Sequence, residues 1–385
     1  MENYSTAEIL KQYQSMPLEA KVSLAKSRIA EWVRHYGLCG VCVSFSGGKD
    51  STVLLHIIRE DYPEIPAVFS DTGLEYPEIR AFARSFDNVD VVRPAMRFDQ
   101  VISTYGYPLI SKEVAEAIYY ARRIRSQILN VERESLNKRK ELRGEREWSL
   151  WASGRLEAPG TGGGQIRRRA EITGTLTMDE NFNRQRRAGV AQSGRAGEGG
   201  VFSNGTEQFG EKSMFNKEKW LPLARDVPVP ISHVCCQVMK KSPMAKYQRK
   251  NRYHPFIGTL AEESRLRKQA WIRHGCNAFD TKKPTSQPLS VWREQDVLNY
   301  IVNRGLSIAP VYGDIVATDP DGIEYPAAGL LSAEGMPLRC TGCQRTGCVY
   351  CAFGLHLEKG ETRFQALART HPRLYEYSIG GGAMG

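Results

Sequence analysis

The chain predicts an α/β fold, doubly wound around a mostly parallel sheet, and three observations carry that reading. Short apolar runs rich in β-branched residues at 41–45, 65–70 and 88–93 read as strands. Helix-like stretches follow the first two, so strand and helix alternate from 41 to 93. The turn Ser46-Gly-Gly-Lys-Asp-Ser51 joins the first strand to its helix in the form of an anion cradle.

In that turn, Gly47 and Gly48 allow successive N–H groups to face one concavity at the positive end of the next helix. Lys49 brings a full charge, and Ser46 and Ser51 bring hydroxyls. Asp50 brings a carboxylate for Mg2+ or for the helix cap. Ser44, late in the strand, is counted with this nucleotide-binding set. The spacing differs from the Walker loop, which needs four residues between its first glycine and the Gly-Lys pair. It resembles the PP-loop of enzymes that split ATP between the α and β phosphates.

Upstream, residues 5–36 read as helix, with capping-box spacing at Ser5–Glu8 and an apolar face of Leu24, Ile29, Trp32 and Val33. After the second strand, Asp71 and Glu75 fall at a carboxyl end, where parallel sheets hold ligands, so both are expected to face the nucleotide or its magnesium. The bland alternative makes Asp71 or Thr72 a cap for a helix over 76–86. From Glu113 to Trp148 the chain reads as a basic, salt-bridged helix. Residues 126–212, rich in Gly and Arg, read as a flexible insertion able to meet a nucleic-acid backbone. Order resumes at Phe215. Pro255 to Arg267 reads as strand end, turn and helix. Gly258 would admit a close ligand approach, and Arg265 and Arg267 suit an anion. A helix is expected over Pro288–Ile301 with Ser290 as cap and no chemistry.

Six of the nine cysteines are clustered: Cys235-Cys236, then Cys340, Cys343, Cys348 and Cys351. Without a visible secretory signal this argues for a cofactor rather than disulfides. A zinc knuckle would take Cys340, Cys343, Cys348 and Cys351. A [4Fe–4S] cluster would take Cys235, Cys236, Cys348 and Cys351, and the adjacent cysteine pair favours it, because neighbouring side chains diverge too far for one small ion.

Together, Ser46–Ser51, Asp71-Thr-Gly73, Cys235-Cys236, Gly258–Arg267 and Gly347–Cys351 resemble the phosphoadenosine/adenosine phosphosulfate reductase family. The resemblance implies an adenine nucleotide alpha hydrolase-like fold. It also implies a cluster on Cys235, Cys236, Cys348 and Cys351 beside the nucleotide. Two departures stand out. Phe353-Gly-Leu-His356 lacks the cysteine of the reductases' Cys-Gly-Leu-His motif, and the PP-loop is intact. Both point toward ATP-binding relatives such as the cluster-containing enzymes of DNA phosphorothioation. The expected activity is adenylation of an acceptor with release of pyrophosphate, then sulfur transfer, with Lys49, Asp50 and Asp71 catalytic. A sulfonucleotide reductase using Cys340 or Cys343 is the alternative. A non-catalytic nucleic-acid-binding component is the third reading.

The totals agree with this. Net charge is +10, which fits a polyanionic partner, and no apolar run is long enough to span a bilayer. Expected partners are the nucleotide, a nucleic-acid acceptor and a sulfur-donor protein, in the cytoplasm and without a membrane. Domains are expected at 1–40, at 41–125 with 213–335, at 126–212 for the insertion, and at 336–385 for the cysteine module.

Overall fold

A computed structural model describes residues 6–120, 122, 223, 227–327 and 336–379; the insertion expected at 126–212 lies outside them. The chain divides into two compact units, Met1–Gln100 with Cys236–Cys351, and Val101–Cys235 with Ala352–Gly385. The cysteine run up to Cys351 thus folds with the first unit, and the residues after it with the second.

The first unit is built on a six-stranded sheet. Its strands are β1 (Val41–Phe45), β2 (Ala67–Ser70), β3 (Val89–Val92), β5 (His254–Ile257), β6 (Asn277–Ala278) and β7 (Thr285–Ser286), in the order β3-β2-β1-β5-β7-β6. Every pairing is parallel except that of β6 with β7. This is the mostly parallel, helix-flanked sheet expected from the strand–helix alternation. β1 sits at its centre: Val43 pairs with Ala67 on one side and Phe256 on the other. Val41, Cys42, Val43 and Phe45 are all buried, as a strand covered on both faces requires.

Two helices open the chain, α1 (Thr6–Ser15) and α2 (Leu18–Tyr36). The single helix expected over 5–36 is interrupted because Pro17 cannot continue it and pushes Met16 out of helical geometry. The rest of the pattern holds: Ile29, Trp32 and Val33 are buried, and Trp32 Nε1 donates to His254 O on β5 at 3.3 Å. Lys21, also buried, donates to Asp296 Oδ2 at 2.6 Å and to Gln14 O at 2.9 Å, so its charge is matched.

Helix α3 (Lys49–Asp61) buries Leu54, Leu55, Ile57 and Ile58 against the sheet. Each such side chain contributes about 1.5–3 kcal/mol, against about 0–1 for an exposed ion pair. Apolar packing therefore anchors the loop that precedes it. α4 (Pro77–Arg84) starts with proline at a first-turn position, and its cap is Tyr76 rather than Asp71 or Thr72. A π-helical turn, Gln237–Lys241, follows Cys236 and runs into α6 (Ser242–Asn251). α7 (Arg265–His274) is capped by Ser264, whose hydroxyl accepts from Arg267 N at 3.3 Å.

α8 begins at Glu294 and runs to Arg304, later than the helix expected from Pro288. Ser290 is not its cap: it is buried in a turn and donates to Cys276 Sγ at 3.3 Å. A small antiparallel sheet in the order β10-β8-β9, from β8 (Ile315–Thr318), β9 (Glu324–Pro326) and β10 (Leu338–Cys340), completes the unit.

The second unit holds most of α5 (Phe98–Tyr105), a helix over 112–120, and β4 (Leu109–Ile110) paired in parallel with β11 (Ala352–Phe353). Ala115, Ala117, Ile118 and Ile231 form its core. Helices α9 (Arg363–Thr370) and α10 (Pro372–Ile379) end it. No helix among the described residues is long and apolar enough to cross a membrane.

Candidate functional site

The turn after β1 builds the site. Gly47 has φ +71°, a conformation side chains avoid, and a Cβ there would lie 3.1 Å from both Ile79 Cγ2 and Ile79 O. Gly48 caps α3 in extended geometry, and its carbonyl accepts from Ser51 Oγ and Thr52 Oγ1 at 2.9 and 3.1 Å. Across from the loop, Gly258 at the end of β5 packs so closely that a Cβ would come within 3.0 Å of Asp50 O and 3.1 Å of Ser51 Cα. The glycine predicted to admit a ligand instead admits the loop itself.

Three loop amides donate to side-chain hydroxyls. Ser46 N bonds Ser51 Oγ at 3.2 Å, Gly48 N bonds Ser46 Oγ at 3.3 Å and Lys49 N bonds Tyr312 Oη at 3.1 Å. Those oxygens occupy positions that anionic oxygens can take.

A cavity of about 130 Å³ opens over the loop, lined by Ser46, Gly48, Lys49 and Asp50 from one side. Leu260, Glu262, Glu263, Glu294, Tyr312, Arg345 and Thr346 close the other. Lys49 is buried, with Nζ 3.0 Å from Glu294 and 3.9 Å from Asp50, and it donates to Gln344 O at 3.3 Å. Burial works against its charge, but Asp50 and Glu294 outweigh that and hold its pKa above the ordinary lysine value. Asp50 is raised as well, which here disfavours its charge: burial pushes its carboxyl up, only partly opposed by Lys49. Its Oδ1 is buried with no hydrogen-bond partner among the described residues. Tyr312, also raised by burial, meets Thr346 Oγ1 at 2.7 Å.

The other expected residues distribute unevenly. Ser44 lies half-buried on β1. Arg267 pairs with Glu263, which lines the cavity, while Arg265 is exposed; neither arginine is in the lining itself. Asp71 is not turned to the cavity. Its carboxylate is taken by Arg80 at 2.8 Å, by Arg84, and by Arg93 at 3.7 Å. Burial raises Asp71, yet Arg80, Arg84 and the Gly73 N–H prevail and hold it below the usual carboxylate range. Glu75 accepts from Thr72 and pairs with Lys240 at 3.2 Å.

The cysteines fall into two surroundings. Cys340 is buried, which pushes its thiol up, and the charges acting on it are those of Lys49, Glu294, Asp50 and Arg339. Burial pushes the Cys348 thiol up to about 11, and the groups acting on it are Lys240, Glu75, Cys351 and Cys236. Lys240 also hydrogen-bonds Cys348. Cys351 N donates to Cys348 O at 3.1 Å in the turn joining them. Cys235 ends one stretch of the second unit, covalently next to Cys236. Among the described residues no three His, Cys, Asp or Glu side chains stand ready to hold a metal ion.

Sequence reasoning missed Glu262, Glu294, Gln344, Tyr312, Arg345 and Thr346 as loop neighbours. Only the proximity of Gln344, Arg345 and Thr346 to the cysteine pairs hinted at them.

Comparison with known proteins agrees with the loop and sheet. Curated relatives include phosphoadenosine 5'-phosphosulfate reductases of Xanthomonas euvesicatoria pv. vesicatoria and Xanthomonas axonopodis pv. citri, each 35% identical over 75 residues. Those matches cover 18% of this chain and 31% of each relative, so the chain spans about a third of their length. An uncharacterised protein of Methanocaldococcus jannaschii is 29% identical over 94 residues, 22% of this chain and 23% of its own. The family model described as the phosphoadenosine phosphosulfate reductase domain matches residues 40–122 and 203–353, more than half of the chain, and the chain belongs to that family.

Proposed function

We propose that this chain binds ATP with Mg2+ at the Ser46–Ser51 loop, adenylates an acceptor with release of pyrophosphate, and then directs sulfur to it. The observation that carries the reading is Lys49. It is a buried cation at the floor of a cavity walled by loop amides, in a motif complete at all six positions. An acceptor oxygen attacks the α-phosphorus, the bond from that phosphorus to the bridging oxygen breaks, and the electron pair leaves with pyrophosphate. Charge grows on the departing phosphates, where Lys49 and the loop N–H groups offset it. The hydroxyls of Ser46, Ser51 and Tyr312 give way to phosphate oxygens as the nucleotide enters. The orphaned Asp50 Oδ1 suits the magnesium that ATP carries. A sulfur nucleophile from a donor protein then displaces AMP, which keeps the acceptor's oxygen.

Cys235, Cys236, Cys348 and Cys351 would hold a [4Fe–4S] cluster, which supplies a soft, redox-active binding point for sulfur. Support comes from Cys236 and Cys351 both lying near enough to act on the Cys348 thiol. The zinc alternative needs Cys340 and Cys348 in one site. The cytoplasmic setting is part of the same reading.

A sulfonucleotide reductase is the second reading, favoured by the position of Cys340 among the charges of the loop. It needs a thiolate, and burial holds this thiol protonated. Incubation with ATP and a panel of acceptors, with pyrophosphate measured, tests the first reading. Lys49→Ala is expected to lower release by roughly 10²–10³-fold, the loss typical of one charge-stabilising donor. Sulfite release from adenylyl sulfate with a thiol reductant, without pyrophosphate from ATP, would replace it with the second. Pyrophosphate release also excludes a purely nucleic-acid-binding role.

A further inference from the structure

We propose that Arg84 and Arg93, gathered with Arg80 around Asp71, dock the phosphodiester backbone of a nucleic-acid acceptor. This deepens the acceptor half of the function above and rests on it. One guanidinium is enough for Asp71. Arg80 grips it with two bonds, Nε to Oδ1 at 2.8 Å and Nη2 to Oδ2 at 3.2 Å, and Gly73 N adds a third at 3.3 Å. Arg84 nevertheless bonds the same carboxylate, and Arg93 Nε stands 3.7 Å from it. The next carboxylate, Glu75, is matched by Lys240. Among the described residues, Asp71 and Glu75 thus have four cationic partners in Arg80, Arg84, Arg93 and Lys240. Arg80 and Gly73 N already satisfy the buried Asp71 carboxylate, and like charges this close repel.

The surplus is also accessible: the side chains of Arg84 and Arg93 are 42% and 71% exposed. A guanidinium fork presents two parallel donors to a phosphate.

Position supports the same ligand. Asp71 directly follows β2 and Arg93 directly follows β3, and Asp71 N bonds Val92 O at 2.9 Å. Both lie at the carboxyl edge of the sheet from which the loop leaves β1, the edge where such sheets hold ligands. α4, which carries Arg80 and Arg84, packs on the loop through Ile79 and Ala83. On the other side Lys240 links Glu75 to Cys348. None of the three arginines lines the loop cavity. The excess charge thus lies beside both the nucleotide loop and the thiols without belonging to the nucleotide's own pocket. A strand held there brings its bases or sugars toward both.

The test is binding of short fluorescein-labelled oligonucleotides, as single-stranded DNA, single-stranded RNA and duplex, measured by anisotropy across a salt series. The full-length chain is compared with Arg84→Gln/Arg93→Gln and with Arg84→Lys/Arg93→Lys, each checked for folding by its thermal midpoint. Losing two phosphate contacts should flatten the slope of log K against log salt by roughly 1.4 on a single strand and 1.8 on duplex. The lysine pair should keep the slope. An unchanged slope on all three probes in the folded glutamine variant would overturn the proposal. So would a matching loss of affinity for ATP alone, which would assign the arginines to the nucleotide. Failure of adenylation itself would appear separately, as oligonucleotide binding without pyrophosphate release.

Discussion

Lys49 Nζ lies 3.0 Å from a carboxylate oxygen of Glu294, the first residue of α8, so the loop's only lysine already has a counter-charge before any phosphate arrives. An incoming nucleotide must compete with that carboxylate. Glu294→Gln removes the competitor while keeping the side chain's shape, so KM for ATP should fall several-fold in pyrophosphate-release assays. A rise in KM instead would make Glu294 part of the nucleotide's binding surface. Either result is read against Lys49→Ala, which should lose the activity itself.

Asp50 gives a pH prediction. Burial raises its folded pKa above the ordinary aspartate value. The folded state therefore keeps this proton longer than the unfolded chain does. Its contribution is most favourable below the unfolded pKa and is lost as pH rises through the folded one. Asp50→Asn cannot ionise, so it should flatten that decline and raise stability at neutral pH while depressing turnover. Thermal unfolding at acidic and neutral pH checks this, at roughly 2–4 °C for each kcal/mol relieved. Equal stability of the two proteins at both pH values would contradict it.

Gly258→Ala should act through backbone alone. The added methyl meets Asp50 O at 3.0 Å and Ser51 Cα at 3.1 Å, neither of which can swing aside like a side-chain tip. Overpacking of this kind costs about 1–3 kcal/mol, and here the strain falls on the phosphate loop. Urea denaturation should show the loss, with a larger proportional loss of ATP affinity. Full retention of both would mean the loop and β5 separate freely.

The thiols can be sorted by colour. Protein purified without oxygen should show the broad visible absorption of an iron–sulfur centre, and Cys236→Ser or Cys348→Ser should bleach it. Cys340→Ser should leave it intact, because Cys340 answers to the charges of the loop and Cys348 to Lys240 and Glu75. Colourless protein with bound zinc that is lost on changing Cys340 would establish the knuckle instead.

The central sheet was legible because its signals are local: β-branched runs for β1 and β2, and a glycine turn whose purpose follows from its residues. Helix boundaries were less so. Pro17 marked a break that the apolar pattern around Ile29 and Trp32 hid, and Ser290 looked like a cap because a hydroxyl before an apolar stretch usually is one. The loop's partners were out of reach for a different reason. Glu294, Tyr312 and Arg345 come from distant segments, and only the tertiary path brings them over Lys49. Asp71 shows the limit from the other side. Its place after β2 was readable, but the three arginines that claim it come from α4 and the end of β3.

The π-helical turn at Gln237–Lys241 carries a mechanical implication. Ser242 N reaches back to Gln237 O across five residues, one more than an α-helix spans. Excising a single residue there would restore ordinary winding and swing Cys236 by about 100° around the axis of α6. Lys240 would be carried off Glu75 by the same rotation. The thiol's aim is thus written into the pitch of one turn, where a deletion, with every cysteine kept, would be enough to misdirect it.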